Sequence, residues 1–193
     1  MLSPLIADRV LCKKSILMLL LMSPMVLAQP CTVNDNCKID VQFKGSFLEN
    51  TCDLSINNGT ANETVTLPTI STASLTHNGA EAGSQLFAIT LSNCPINKAI
   101  SLYFASTASG VNTATGNLPN ATGNDYGKDV EIRLRKSDQQ QMVIDNPDSS
   151  QDYDISNTAE VTHQFIASYY SVGTSGVSAG LVSAAASIIV NYK

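Results

Sequence analysis

The sequence predicts an all-β fold, an antiparallel sandwich of about eight short strands. Three observations carry this. Apolar and polar residues alternate with period two in several separate stretches, the signature of strands with one buried and one wet face. Turn-forming clusters of Gly, Asn, Pro and Ser separate those stretches. No segment has the apolar spacing of a long amphipathic helix. Composition agrees: Thr, Ser, Asn, Ala and Val are abundant and Trp is absent, which suits short strands with polar outer faces.

The first 28 of the 193 residues stand apart from this pattern. Lys13 and Lys14 precede the run SILMLLLMSPMVLA, with small residues at Val26 and Ala28. A basic start, an apolar run of about 14 residues and a small-residue cleavage site read as a secretory signal, with cleavage expected after Ala28. The run is shorter than the roughly 20 residues of a transmembrane helix. Cys31 follows Gln29 and Pro30, not the small residue expected ahead of a lipid-modified cysteine.

Residues 29–193 carry 8 Lys plus Arg against 15 Asp plus Glu, a net charge of −7. This argues against nucleic acid or an anionic membrane as partner, since both reward a basic face. Four cysteines remain after the signal, Cys31, Cys37, Cys52 and Cys94. An even count in an exported chain favours disulfides. Cys52 and Cys94 each flank an expected strand and form the main expected pair. Closing that 42-residue separation stabilises a fold by roughly 4 kcal/mol in the chain-entropy model. Cys31 and Cys37 either close a small local loop or bond to another chain. A metal site is disfavoured: there is no Cys-x-x-Cys, and His77 and His163 lie far from the cysteines in sequence.

The clearest alternation lies in residues 39–47. Ile39, Val41, Phe43, Gly45 and Phe47 share one parity; Asp40, Gln42, Lys44 and Ser46 share the other. Residues 56–63 (INNGTANE) are turn chemistry. Residues 63–67 (ETVTL) read as a short strand ended by Pro68. Residues 69–83 read as a loop with one helical turn near Ser71 to Leu75. Residues 84–92 (SQLFAITLS) form a strand leading to Cys94, and residues 99–105 (AISLYFA) another. Residues 106–127 read as a surface loop with a short edge strand. In residues 128–136, Val130, Ile132 and Leu134 are expected inward, and Glu131, Arg133 and Arg135 outward. Residues 141–144 read as a short strand and 146–157 as an acidic loop. Residues 160–170 place Val161, His163, Phe165 and Ala167 on one parity. A turn over 173–180 leads to a last strand over 181–192, where Ala184, Ala186, Ile188, Val190 and Tyr192 share a face.

At this point the chain resembles the type 1 pilin family of chaperone–usher fimbrial subunits. The resemblance covers nearly all of residues 29–193. It rests on Val41-x-Phe43-Lys44-Gly45, with Gly45 seven residues before Cys52, and on the second cysteine within LSNCP (residues 91–95). It rests further on the strand from Val130 to Leu134 and on Phe165-x-Ala167-x-Tyr169. At the end, Gly180 stands fourteenth from the C-terminus and Tyr192 is penultimate.

The resemblance implies an incomplete immunoglobulin-like β-sandwich completed by a donated strand, with residues 51–193 as the pilin domain and 29–50 as the donor extension. Ile39, Val41, Phe43, Gly45 and Phe47 would fill a neighbour's groove, Gly45 where backbones approach closely. At roughly 1.5–3 kcal/mol per large side chain, the four apolar residues give an upper bound on the order of 10 kcal/mol. Gly180, Ile188, Val190 and Tyr192 would belong to the acceptor groove and the chaperone contact. The implied partners are neighbouring pilin subunits, a periplasmic chaperone, an outer-membrane usher and a host surface. The implied location is a fimbrium on the bacterial cell surface, reached through the periplasm. Cys31 and Cys37 depart from the pattern of a major pilin; bonded to each other, they would shorten the inserting segment to about residues 38–48.

Other readings are weaker. On pattern alone, residues 39–47 read better as the first strand of a complete sandwich; the family resemblance reverses this in favour of donation. His163 on an apolar parity reads as a core or groove residue. No nucleophile elbow, paired-acid motif or Gly-rich phosphate loop is present, so neither catalysis nor a cofactor is expected. The acidic stretch from Asp145 to Asp154 lacks the glycine spacing of a calcium loop. The sequons at Asn58, Asn62 and Asn120 mark polar loops. A minor, adaptor or tip subunit with a binding role is the alternative to a rod subunit. An adhesin with a separate lectin domain is not expected within about 165 residues.

Overall fold

The computed structural model describes residues 51–155 and 160–193. Eight strands form in chain order: β1 (Asp53–Ile56), β2 (Glu81–Ser92), β3 (Ala99–Ser106), β4 (Leu118–Pro119), β5 (Val130–Lys136), β6 (Gln151–Asp154), β7 (Val161–Ser171) and β8 (Ala186–Tyr192). They make two antiparallel sheets, one ordered β1-β2-β7-β5-β4 and the other β6-β3-β8. β2 and β7 form the longest pairing, from Glu81 opposite Tyr170 to Leu91 opposite Val161. It is interrupted by a bulge between Ala82 and Gln85.

The facing sides of the sheets bury the core. Phe87 of β2 and Phe165 of β7 stack within one sheet at 5.7 Å, and Phe104 of β3 meets Phe165 edge-on at 5.6 Å from the other. Ile89, Leu91, Ile100, Leu102, Met142 and Tyr153 are fully buried around them. The inward parity expected for Val130, Ile132 and Leu134 is observed.

The structure corrects several local expectations. The turn expected over residues 56–63 forms from Asn57 onward, but the strand β1 ahead of it, which pairs with the end of β2, was not expected. Residues 63–67, expected as a strand, join no ladder among the described residues, although Val65 and Leu67 pack on the core. Residues 141–144 make a single bridge from Gln141 to Arg135 in place of a strand, while Met142 and Ile144 are buried. The acidic stretch expected as loop contains β6, which pairs with β3 and buries Tyr153. Two apolar residues, Tyr153 and Ile155, suffice to seat this segment at a sheet edge despite its charge. The last strand, expected over 181–192, forms only over Ala186–Tyr192; residues 181–183 instead bond to the segment from Asn120 to Gly127. The helical turn expected near Ser71 is a 3₁₀ turn, Thr72–Ser74, capped by the Ser71 side chain.

Glu131 sits on the outward parity of β5 yet is buried. The loop of residues 112–117 folds over it. Its carboxylate accepts hydrogen bonds from Thr115 Oγ1 (2.7 Å), Asn117 Nδ2 (2.9 Å) and Asn112 Nδ2. Three neutral donors take the place of water around a buried acid.

Candidate functional site: an open groove between the sheets

β8 pairs with β3 on one side only. The Lys193 N–H donates to Ala99 O at 2.8 Å, on the β3 side. Strand geometry repeats every two residues, so Asn191, Ile189 and Ser187 direct their backbone groups the same way. The backbone N–H and C=O of Ala186, Ile188, Val190 and Tyr192 are therefore directed to the other edge. Among the described residues no strand lies there. Such a row of backbone groups is a template for another strand.

Beside this edge the sandwich opens into a cleft of about 490 Å³. Its floor is core: Phe87, Phe104, Leu118, Ile132 and Leu134. One bank is formed by residues 63–67, the other by residues 182–186 and Ile188. The second bank carries Ala184, Ala185 and Ala186, whose small side chains leave the space open. In a closed sandwich these floor residues would lie beneath a further strand. Here Phe87 and Phe104 border the cleft while remaining 5% and 4% exposed.

The residues singled out from sequence fall in different places. Ile188 lines the cleft. Val190 and Tyr192 lie on the same strand, half-buried against the core beyond the cleft lining. Gly180 is not among the lining residues. It packs on the backbone of Tyr126 and Gly127, and a Cβ there would stand 2.3 Å from Gly127 N. Cys52 and Cys94 are joined by a disulfide. Ile39, Val41, Phe43, Gly45, Phe47, Cys31 and Cys37 lie outside the described residues. The bank formed by Val65 and Leu67, and the floor residues as a group, were not singled out beforehand. Their strand pattern was visible, but nothing in it marks which core residues border a gap.

Three polar features lie outside the lining of the groove. On the outer face of the larger sheet, Arg135 grips Glu81 through Nε at 2.9 Å and Nη2 at 2.5 Å, and Ser168 Oγ donates to the same carboxylate. Burial is the largest single influence on Glu81 and opposes its ionisation. The bonds from Arg135 and Ser168 and the charges of Arg135 and Arg133 together outweigh it and hold the carboxyl below its ordinary range. Arg133 lies 3.6 Å over the Tyr170 ring. His163 packs edge-on against Tyr153 at 4.5 Å, and burial lowers its pKa. Among the described residues no cluster of His, Cys, Asp or Glu could hold a metal ion.

The described residues thus form an antiparallel immunoglobulin-like sandwich with an unpaired strand edge beside a cleft floored by core side chains. The comparisons give the family. The model of the fimbrial protein family matches residues 41–193, and the chain belongs to that family. It is 29% identical to the F17 fimbrial protein of Escherichia coli, over 79% of this chain and 86% of that one. It is 33% identical to the major fimbrial subunit SMF-1 of Stenotrophomonas maltophilia, over 54% of this chain and 60% of that one. Among solved structures, the P pilus rod subunit PapA superposes with a TM-score of 0.56 at 19% identity, covering 75% of this chain and all of that one. The chain is thus a fimbrial protein by family, and it shares its fold with a pilus rod subunit.

Proposed function

We propose that this chain is a structural subunit that polymerises by donor-strand exchange into a surface fimbria supporting adhesion. The observation that carries the reading is the groove: a free β8 edge beside a cleft floored by core phenylalanines. Strand addition supplies both things this site lacks, backbone partners for β8 and apolar side chains for the cleft. Chaperone–pilin complementation is the general example of this mode. Residues 39–47 carry the matching pattern. Ile39, Val41, Phe43 and Phe47 supply apolar bulk, and Gly45 allows close approach. In this reading residues 1–28 direct export and residues 29–50 form the donor extension. A periplasmic chaperone covers the β8 groove until an outer-membrane usher passes the subunit to its neighbour. Ile188 and Val190 then contact first the chaperone's strand and then the next subunit's. Gly180 keeps the approach to β8 close-packed against Gly127.

A rod role is supported by similarity to a protein named as a major fimbrial subunit. Cys31 and Cys37, which sit in the extension, favour the second reading of an adaptor or tip subunit. A thermal melt of the chain lacking residues 29–50, with and without a peptide of those residues, tests the proposal. A large, slow rise in melting temperature with the peptide is expected. A truncated protein that is stable alone and ignores the peptide overturns donor-strand exchange. A truncated protein that ignores its own peptide but accepts another subunit's supports the adaptor reading.

A further inference from the structure

We propose that Asn120 is a positioning residue for the acceptor cleft, its side-chain amide pinning the segment that crosses between the two sheets and bounds the cleft. The proposal rests on the strand-exchange reading above and deepens it. Asn120 does not itself line the cleft. It follows β4, whose Leu118 lies in the cleft floor. Its Nδ2 donates to Gly127 O at 2.8 Å and to Leu181 O at 3.0 Å. Its Oδ1 accepts from the Ser183 N–H at 2.8 Å. One side chain thus uses both of its donors and its acceptor, tying residue 127 and residues 181–183 to the end of β4.

The segment it holds has weak apolar anchorage. Residues 186–192 belong to the smaller sheet through β3, whereas residues 181–183 bond to the loop between β4 and β5 of the larger sheet. Ala184 and Ala185 therefore cross from one sheet to the other, and both line the cleft as they do so. Leu181 is 61% exposed, and alanine methyl groups bury little area. Val182 alone adds a larger side chain packed on the core. Hydrogen bonds supply the rest of the hold. Besides those of Asn120, Gly127 N–H donates to Leu181 O at 2.9 Å, Leu181 N–H to Asp125 O at 2.8 Å and Ala121 N–H to Ser183 O at 2.9 Å.

The consequence is a cleft that is formed before it is filled. With the crossing pinned, an added strand meets a bank already in place. Unpinned, residues 181–185 would have to be ordered as the strand enters, and ordering on binding subtracts from affinity. Only an amide side chain donates to two carbonyls and accepts from an N–H at once. Alanine does none of this, and an ionised aspartate only accepts. Asn120 therefore acts on where the crossing sits, without touching the added strand.

The test titrates a labelled peptide of residues 29–50 into the purified full-length subunit, as wild type, Asn120→Ala and Asn120→Asp. Asn120→Ala is expected to bind roughly tenfold more weakly, the equivalent of ordering one or two residues. Its Ser183 amide should exchange roughly fivefold faster, the equivalent of one ordinary hydrogen bond, while the amides of β7 keep their wild-type protection. A merely structural role looks different: β7 amides would quicken along with Ser183 and peptide affinity would stay at the wild-type value. That result overturns the proposal. Asn120→Asp sets a carboxylate against two carbonyl oxygens at unchanged size, and it decides the matter where Asn120→Ala does not fold. Its affinity should also fall, and the deficit relative to wild type should shrink in acid, where the protonated carboxyl donates again. Wild-type affinity in Asn120→Asp at neutral pH overturns the proposal. Wild-type protein that takes up no peptide overturns the strand-exchange reading and this proposal with it.

Discussion

Ser171 places a hydroxyl in the core with nothing to bond. It is fully buried, and its Oγ is the one buried side-chain polar atom without a partner among the described residues. A desolvated, unpaired hydroxyl opposes folding. Ser171→Ala is expected to leave the fold unharmed or stabilise it by about 0–2 kcal/mol, read as a rise in denaturation midpoint. His163 makes the opposite kind of residue statement. Burial lowers its pKa, so the unfolded chain binds its proton more readily than the folded one. Its contribution is intact above the unfolded value of about 6.5 and declines as pH falls through that value towards the folded pKa. Melting temperature should therefore fall between pH 8 and pH 5, and His163→Gln should flatten that dependence.

At the scale of elements, β5, β7 and the start of β2 are cross-linked on their outer face by the Glu81 carboxylate. Arg135 of β5 and Ser168 of β7 both bond to it. The depressed pKa of Glu81 means this link is present above the unfolded carboxylate value of about 4.3. It is lost as pH falls through the lower folded value. Glu81→Gln should destabilise the protein by about 1–3 kcal/mol near neutral pH. The difference from wild type should vanish in strong acid, as urea titrations at both pH values would show. The bank of residues 182–186 is the element that leaves the groove open. Under the strand-exchange proposal, Ala184→Trp would put an indole into the space that a donor side chain is proposed to fill. The fold should keep its melting temperature or gain slightly. Affinity for a peptide of residues 29–50 should drop roughly 100-fold, about 2.8 kcal/mol and comparable to one buried apolar side chain. Unchanged affinity would place the donor elsewhere.

At the scale of the whole described domain, the sandwich opens into a cleft beside the first half of β8, and the Cys52–Cys94 bond lies near the other end of that strand, at Tyr192. The bond spans 42 residues and ties the start of β1 to the end of β2. Replacing both cysteines by alanine should cost roughly 4 kcal/mol. For a domain of this size that lowers the melting temperature by about 8–16 °C in calorimetry. Donor-strand filling should offset part of the loss, so the double variant is expected to be more stable in the fibre than alone.

The long alternating stretches were legible because a strand with one buried face must write its pattern in period two. β2, β3, β5 and β7 all lie where that pattern placed them, as does the cysteine pair that flanks them. β1 and β6 were not legible: four residues are too few to show alternation, and in β6 aspartates surround a single buried Tyr153. Residues 63–67 had the pattern and no ladder, because alternation records which side chains are buried, not whether a neighbouring backbone is present. For the same reason sequence alone determined the long strands β2, β3, β5 and β7, their inward faces and the likeness to a pilin. Only tertiary structure decided that β8 is an edge, that alanines bank an open cleft, that a loop buries Glu131 and that Tyr192 reaches Cys52. Those four depend on contacts between residues 14 to 140 positions apart. Local periodicity carries no information about such distances.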